Sequence, residues 1–377
     1  MRKSIRVAAA AAVAAAAVTT AATPAFATAS SPAGRDGAVF VQTDNTAGNR
    51  VVAYDRGADG TLRPAGSYAT GGRGGILDGS VVDHTASQGA LAWDPAHARL
   101  YAVNAGSDTI SVFGVSGDRL ALRQVLKSGG TFPVSVAVHG DLVYVLNALK
   151  GGDVQGFKTI GSLLIPLPGS RRALGLDPNE TPQFTSTPGQ VAFTPDGSQL
   201  VVTTKNNGND IDVFGVGSTG WLSAHPAVNS EPGTVPFAIS FDQSGHLVIA
   251  EAGTNALATF ALSAHGTASL LSAVGTGQAA TCWVTPAGSY LFASNAGSAN
   301  VSGFSSSAQG ALTLLGSTGT DPGTVDAAAA AGGGFLYVQT GRNGIVDEFA
   351  VGTGGSLTKI GAVTVPGAVG GEGIVAS

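Results

Sequence analysis

Leu100-Tyr101-Ala102-Val103-Asn104 leads through Ala105-Gly106-Ser107 to Ile110-Ser111-Val112-Phe113. The stretch is an apolar run, a polar stop at Asn104, a short gap and a second strand closing on an aromatic. Branched and aromatic residues favour extended backbone, and Gly, Asn and Asp favour the turn between. The pattern repeats along the chain. Val39 to Thr43 leads to Tyr54, Val143 to Asn147 to Phe157, and Leu200 to Thr204 to Phe214. Leu247 to Glu251 leads to Phe260, Leu291 to Asn295 to Phe304, and Leu336 to Thr340 to Phe349. From stop to aromatic the distances are 11, 9, 10, 10, 9, 9 and 9 residues. A leucine follows each aromatic: Leu62, Leu120, Leu163, Leu222, Leu270, Leu312 and Leu357.

The stops are 61, 43, 57, 47, 44 and 45 residues apart, and most steps match the roughly 40–50 residues of a four-stranded propeller blade. The two long steps hold segments 69–87 and 166–186, which fit no strand and read as loop insertions. Six repeats show a strand before the stop, such as Ala90-Leu91-Ala92-Trp93 or Cys282-Trp283-Val284. The first repeat lacks one, because residues 28–37 are polar and rich in Gly and Pro. Gly373-Ile374-Val375-Ala376 is a strand with no blade of its own. The expectation is an all-β, seven-bladed β-propeller over residues 38–377, closed by the C-terminal strand pairing into the first blade. A pair of β-sandwiches would not explain seven aromatics in one register.

Composition agrees. The chain has 377 residues, 56 of them Gly; 44% are hydrophobic and 11% charged, which excludes a disordered polyelectrolyte. Arg2, Lys3 and Arg6 precede an uncharged run, and Ala25-Phe26-Ala27 offers a cleavage site. Residues 1–27 therefore read as a signal peptide, residues 28–37 as a flexible segment, and the protein as secreted. Cleavage lowers the net charge from −5 to −8, against a nucleic-acid or membrane partner. Cys282 is the only cysteine, so no internal disulfide forms. The chain is expected to be a monomer.

In a blade, inner strands start and second strands end on the same face, where both insertions also lie. The mouth there should be ringed by Asn104, Asn147, Lys205, Glu251 and Asn295 from second-strand ends. Gln88, Thr281 and Glu372 come from inner-strand starts, and Arg73, Asp78, Asp83, His84, Arg171 and Arg172 from the insertions. Loops on a rigid scaffold around a concave mouth are where ligands bind. No metal-binding histidine spacing and no Gly-x-Ser-x-Gly elbow occur, and no cofactor or metal is expected. Cys282 reads as an inert thiol, since no base or cation adjoins it in sequence.

The seven-blade pattern, the Pro195-Asp196-Gly197 turn and the 100–113 stretch resemble the β-propeller lactonase family, which includes 6-phosphogluconolactonase and the carboxymuconate-lactonising cycloisomerases. The resemblance spans essentially the whole chain after residue 27. It is closest to secreted members through Ser87-Gln88-Gly89-Ala90-Leu91, Thr204-Lys205-Asn206, Glu251-Ala252 and Cys282-Trp283-Val284. Where cytoplasmic members place a His and an Arg before a middle inner strand, this chain has Pro188-Gly189-Gln190-Val191. Where they close the next strand with Asn-Glu, it has Thr203-Thr204-Lys205, and their Pro-Arg is Pro236-Phe237. The family's catalytic set is therefore not carried over. The expected function is binding of a small lactone or sugar-acid-like molecule at the axial mouth. If a lactone is hydrolysed there, Glu251 or His84 is the base, with Lys205 and an insertion arginine stabilising the oxyanion. Gln88, Asn104, Asn147, Arg171, Asn295 and Glu372 complete the ligand-binding set. The alternative is a non-catalytic extracellular binding propeller using the same mouth.

Overall fold

A computed structural model describes residues 37–377. The segment read as a signal peptide, and all of 28–37 except Gly37, lie outside the described residues.

Seven sheets follow one another along the chain, each with its strands antiparallel and in sequence order. Blade six is the plainest, with strands Thr281–Ala287, Tyr290–Asn295, Asn300–Ser306 and Leu312–Gly319. Blade one comprises Ala38–Gln42, Arg50–Arg56 and Leu62–Ala69, and takes its inner strand from Ile374–Ala376. Val39 lies opposite Ala376 and Val41 opposite Ile374. The Ser377 amide donates to Ala38 O at 2.9 Å, completing the closure. The C-terminal strand thus joins last and first blades, leaving no unpaired inner edge.

The register repeats with the sequence. Tyr54, Phe113, Phe157, Phe214, Phe260, Phe304 and Phe349 lie opposite Val39, Leu100, Val143, Leu200, Leu247, Leu291 and Leu336 of the second strands. All seven aromatics are buried. Five blades shift register between third and fourth strands immediately before the aromatic. Such a bulge sharpens the twist that lets sheets pack face to face around a ring. Seven hydrophobic clusters result, each filling the space between two neighbouring blades. Burying one such Phe contributes about 1.5–3 kcal/mol. The leucine after the aromatic is less uniform: Leu62, Leu120, Leu222 and Leu312 are buried, whereas Leu163 and Leu270 are exposed.

The segment 166–186 is not wholly strandless, as the sequence suggested. Leu163–Pro166 is the outer strand of blade three, and Arg172–Ala173 pairs again with the third strand at Asp153 and Val154. The chain then forms a single helical turn, Gln183–Ser186.

Candidate functional site

The first insertion ends in Asp83-His84-Thr85-Ala86-Ser87-Gln88-Gly89. Asp83 folds this segment onto itself. Its Oδ1 accepts from the amides of Thr85 and Ala86 and from Thr85 Oγ1, each at 2.9 Å, and its Oδ2 accepts from the Ser87 amide at 2.9 Å. An Asp followed by a Thr is well suited to such a turn, because the short carboxylate reaches the next amides. The turn meets blades on several sides of the ring. Ser87 Oγ donates to Val134 O of blade three at 2.9 Å, and Trp283 Nε1 of blade six donates to Ser87 O at 2.7 Å. Gln88 exchanges two hydrogen bonds with the Val284 backbone of blade six, at 2.9 and 3.0 Å. Its amide donates to Gly189 O ahead of blade four. A segment touching inner strands across the ring lies on the axis. The first insertion is therefore a plug in the central channel.

Glu372 and Lys205 hold the plug. Glu372 Oε1 accepts from the amides of Gly89 (2.9 Å) and Ala90 (3.3 Å), and Oε2 from Ser87 Oγ (3.2 Å) and Thr85 Oγ1 (3.3 Å). Lys205, in left-handed backbone conformation, sends its ammonium to Ala86 O and Phe184 O, both at 2.7 Å, and to Thr187 Oγ1 at 3.2 Å. Its Nζ lies 5.2 Å from the Phe237 ring centroid. All three ammonium protons are engaged, and the side chain is fully buried. Burial lowers the Lys205 pKa to about 7, with Asp83 and Cys282 opposing the shift. Burial raises Asp83 to about 6, held down by its donors and by Lys205. Asp326, an acid within the apolar inner strand Thr324–Ala329, is raised by burial to about 7 and hydrogen-bonds Glu372. Glu372 is held well above the carboxylate range by burial and by the charge of Asp326. A proton shared between these two acids satisfies both in the buried axis.

Beside the plug, a pocket of about 150 Å³ opens between the two insertions and blades five and six. Val82, Phe184, Val235, Phe237 and Trp283 wall it, and Asp83, Lys205 and Cys282 line it. Phe237 and Trp283 meet edge to face at 5.1 Å. The second insertion closes one side: the Phe184 amide donates to Asp78 O at 3.1 Å and the Asp78 amide to Gln183 Oε1 at 3.0 Å. The cation absent from the sequence surroundings of Cys282 is present in space, as Lys205. Burial nevertheless pushes the thiol up to about 12, with Lys205 only partly offsetting it.

The residues predicted for the site divide. Lys205, Gln88 and Glu372 converge on the axis, all three holding the plug. Glu251 turns toward Thr254, whose Oγ1 donates to Oε2 at 2.8 Å, and burial raises its pKa. His84 has Nδ1 3.8 Å from Asp44 Oδ2, and burial lowers its pKa. Neither lines the pocket. Asn104 Nδ2 donates to Ser111 Oγ at 2.8 Å and Asn295 Nδ2 to Ser302 Oγ at 2.9 Å, each bracing the hairpin that follows. Asn147 does the same through Asp153 at 2.9 Å. Arg171 pairs with Asp153 at 2.8 Å and ties the second insertion to blade three. Sequence reasoning counted Asp83 in the mouth without a role, and passed over Asp326. The signal for the latter was a carboxylate inside an otherwise apolar inner strand. No group of metal-ligating side chains occurs among the described residues.

A seven-bladed propeller with a plugged axis and a pocket on its mouth face defines the class of this protein. Residues 80–370 match the family Lactonase, 7-bladed beta-propeller, and the chain belongs to that family. No curated protein matches it. Its fold is similar to that of a candidate 6-phosphogluconolactonase from Bacteroides uniformis, with TM-score 0.75 and 16% identity over 90% of this chain and 99% of that one. It is also similar to a periplasmic gluconolactonase of Pseudomonas aeruginosa, with TM-score 0.69 and 17% identity over 90% and 98%. A Lactobacillus plantarum protein matches with TM-score 0.70 and 21% identity over 90% and 98%.

Proposed function

We propose that this chain is an exported hydrolase of small lactones, acting in the pocket beside the axial plug. The observation that carries the reading is the pocket's composition. Apolar and aromatic walls enclose a space that fits one small ring, and Asp83 and Lys205 are among the residues that line it. Family membership and the gluconolactonase neighbour support lactone chemistry, and the basic, then apolar, leader of residues 1–27 supports export.

The reaction needs a base to take a proton from water as it attacks the lactone carbonyl carbon. It also needs positive charge where the oxyanion develops. Asp83 supplies the base: its pKa of about 6 leaves it ionised yet basic near neutrality. Its Oδ2 accepts only from the Ser87 amide, so acceptor capacity remains. Lys205 lends its charge to the same wall. Collapse of the tetrahedral intermediate breaks the ring C–O bond, and the proton held by Asp83 passes to the leaving alkoxide, giving a hydroxy acid.

The test is proton release on a panel of γ- and δ-lactones. Asp83→Asn should lower turnover by about 100-fold or more. Asp83 also builds the plug, so Ala252→Phe, which fills the pocket from its rim, is the second variant and should abolish turnover with the plug intact. Turnover surviving Ala252→Phe, or no lactone turned over at all, overturns the proposal.

A further inference from the structure

On the face opposite the mouth, inner strands end and second strands begin. Between blades two and three a groove of about 670 Å³ opens there. Grooves of this kind come with the fold. One of about 500 Å³ lies between blades four and five, lined by Asp196, Gln199 and His246. Another, of about 290 Å³, lies between blades five and six, with Asp242 and Gln243. Neither holds an arginine or lysine. The groove between blades two and three holds Arg99, Arg119 and Arg123, in a chain with only 19 Lys and Arg and a net charge of −5.

The three guanidinium groups are placed differently. Arg99 is buried and clasps blade three, donating to Thr159 Oγ1 at 3.2 Å and Gly161 O at 2.7 Å. It forms part of the floor. Gln124 adds to this floor, exchanging two hydrogen bonds with the Leu164 backbone at 2.8 and 3.3 Å. Arg123 is the extra residue of a bulge: Val112 pairs with Gln124 and Phe113 with Leu122, which leaves Arg123 between them. Its Nε lies 2.9 Å from where a Cβ on residue 114 would stand, so glycine there lets the guanidinium lie across the strand. Arg119 projects from the start of the same outer strand, Arg119–Lys127. Both are exposed, and neither has a hydrogen-bond or ion-pair partner among the described residues. Asp94 and Asp141 are engaged by His97, whose Nδ1 is 2.8 Å from Asp94 Oδ2 and whose Nε2 is 3.3 Å from Asp141 Oδ1, and Asp118, which precedes Arg119, is buried.

Two unpaired forks of N–H donors match the oxygens of carboxylate and phosphate groups. The groove is larger than one such group needs and lies in the range of about 300–1,000 Å³ that takes a multi-unit ligand. Ser116 and Ser162 line it with hydroxyl groups, and no Phe, Tyr or Trp does. That disfavours single-stranded nucleic acid, which relies on aromatic stacking. We propose that this groove binds an anionic carbohydrate, its carboxylate or phosphate groups held by Arg119 and Arg123 and its hydroxyl groups by the serines.

The test is calorimetric titration of the whole protein with trigalacturonate, a glycerol-phosphate trimer and neutral maltotriose. At least one anionic probe should bind, and more weakly as NaCl rises from about 50 to about 300 mM. The Arg119→Ala/Arg123→Ala variant should weaken that binding by about 10-fold or more. Ala252→Phe should leave it unchanged, which separates this site from the pocket on the other face. Binding of trigalacturonate alone assigns carboxylate, and of the glycerol-phosphate trimer alone, phosphate. The proposal is overturned if neither anionic probe binds at about 10 mM, if maltotriose binds as well as they do, or if the double arginine variant binds as the wild type does.

Discussion

Lys205 and Arg123 carry the same charge on one scaffold and are used in opposite ways. Lys205 sits in the axis with every ammonium proton on a protein oxygen. Arg123 lies on the opposite face with no partner among the described residues. The axis as a whole follows Lys205: Asp83, Glu372 and Gln88 are each engaged in closing the channel. The groove between blades two and three follows Arg123. A polar group in a propeller thus either replaces the apolar filling that a narrow channel cannot supply, as Lys205 does, or stays in water, as Arg123 does. The energetic consequences should differ accordingly. A buried acceptor whose donors lose it exposes them to the full desolvation penalty, whereas an exposed guanidinium leaves nothing behind.

The largest expected effect is at Glu372. Replacing it by Ala leaves the Gly89 and Ala90 amides without their acceptor in a fully buried site, while Ser87 Oγ keeps Val134 O and Thr85 Oγ1 keeps Asp83 Oδ1. The cost should be about 3–5 kcal/mol. Thermal melts of Glu372→Ala and Glu372→Gln measure it, the Gln variant retaining an acceptor and losing less. An Ala variant that melts with the wild type would break the comparison, since the plug would then be held by packing alone.

The pattern of blades was legible because it is local and repeated. Each aromatic falls opposite a second-strand Val or Leu 13 to 15 residues earlier, and seven copies of one pattern leave a single register. The closing strand was legible for the complementary reason: one blade lacked a strand and one strand lacked a blade. Which face carries the insertions also followed from connectivity. What those loops do there did not. Ser87 bonds residues 47 and 196 positions away, and Gly89 one 283 away. Thr-Ala-Ser-Gln reads equally well as a solvated loop. The asparagines at 104, 147 and 295 show a related limit. Connectivity placed them on the mouth face, but alternation along a strand decides where a side chain points, and theirs brace the next hairpin. Glu251 and His84 belong to the correct face but do not line the pocket.

The next effect is on pH dependence. Burial raises Asp83 from 3.8 to about 6 and Asp326 from 3.8 to about 7. The folded chain therefore keeps protons that the unfolded chain has released. Their stabilising contribution is complete below pH 3.8 and is lost as pH rises through 6 and 7. Lys205, lowered from 10.5 to about 7, acts above that window: its contribution is present above pH 10.5 and is lost as pH falls through 7. Asp326→Asn removes one of the acids and keeps its shape. It should flatten the fall in melting temperature between about pH 4 and about pH 7, with a gain of about 2 kcal/mol at the upper end. An unchanged slope would place the acidic cluster in water and remove the buried axis from the comparison.

The smallest effect is expected at the groove, and its smallness is what makes the contrast measurable. Arg119→Ala and Arg123→Ala remove side chains that satisfy no buried group and pair with no described acid. Exposed substitutions of this kind change stability by about 0.5 kcal/mol or less. The double variant should therefore melt within a few degrees of the wild type at every pH where Glu372→Ala falls far below it. A large loss would mean that the two guanidinium groups serve the fold, as Lys205 does. A small loss leaves the Arg119 and Arg123 side chains without a part in stability, and any change in anion binding by the variant then reports on the groove itself.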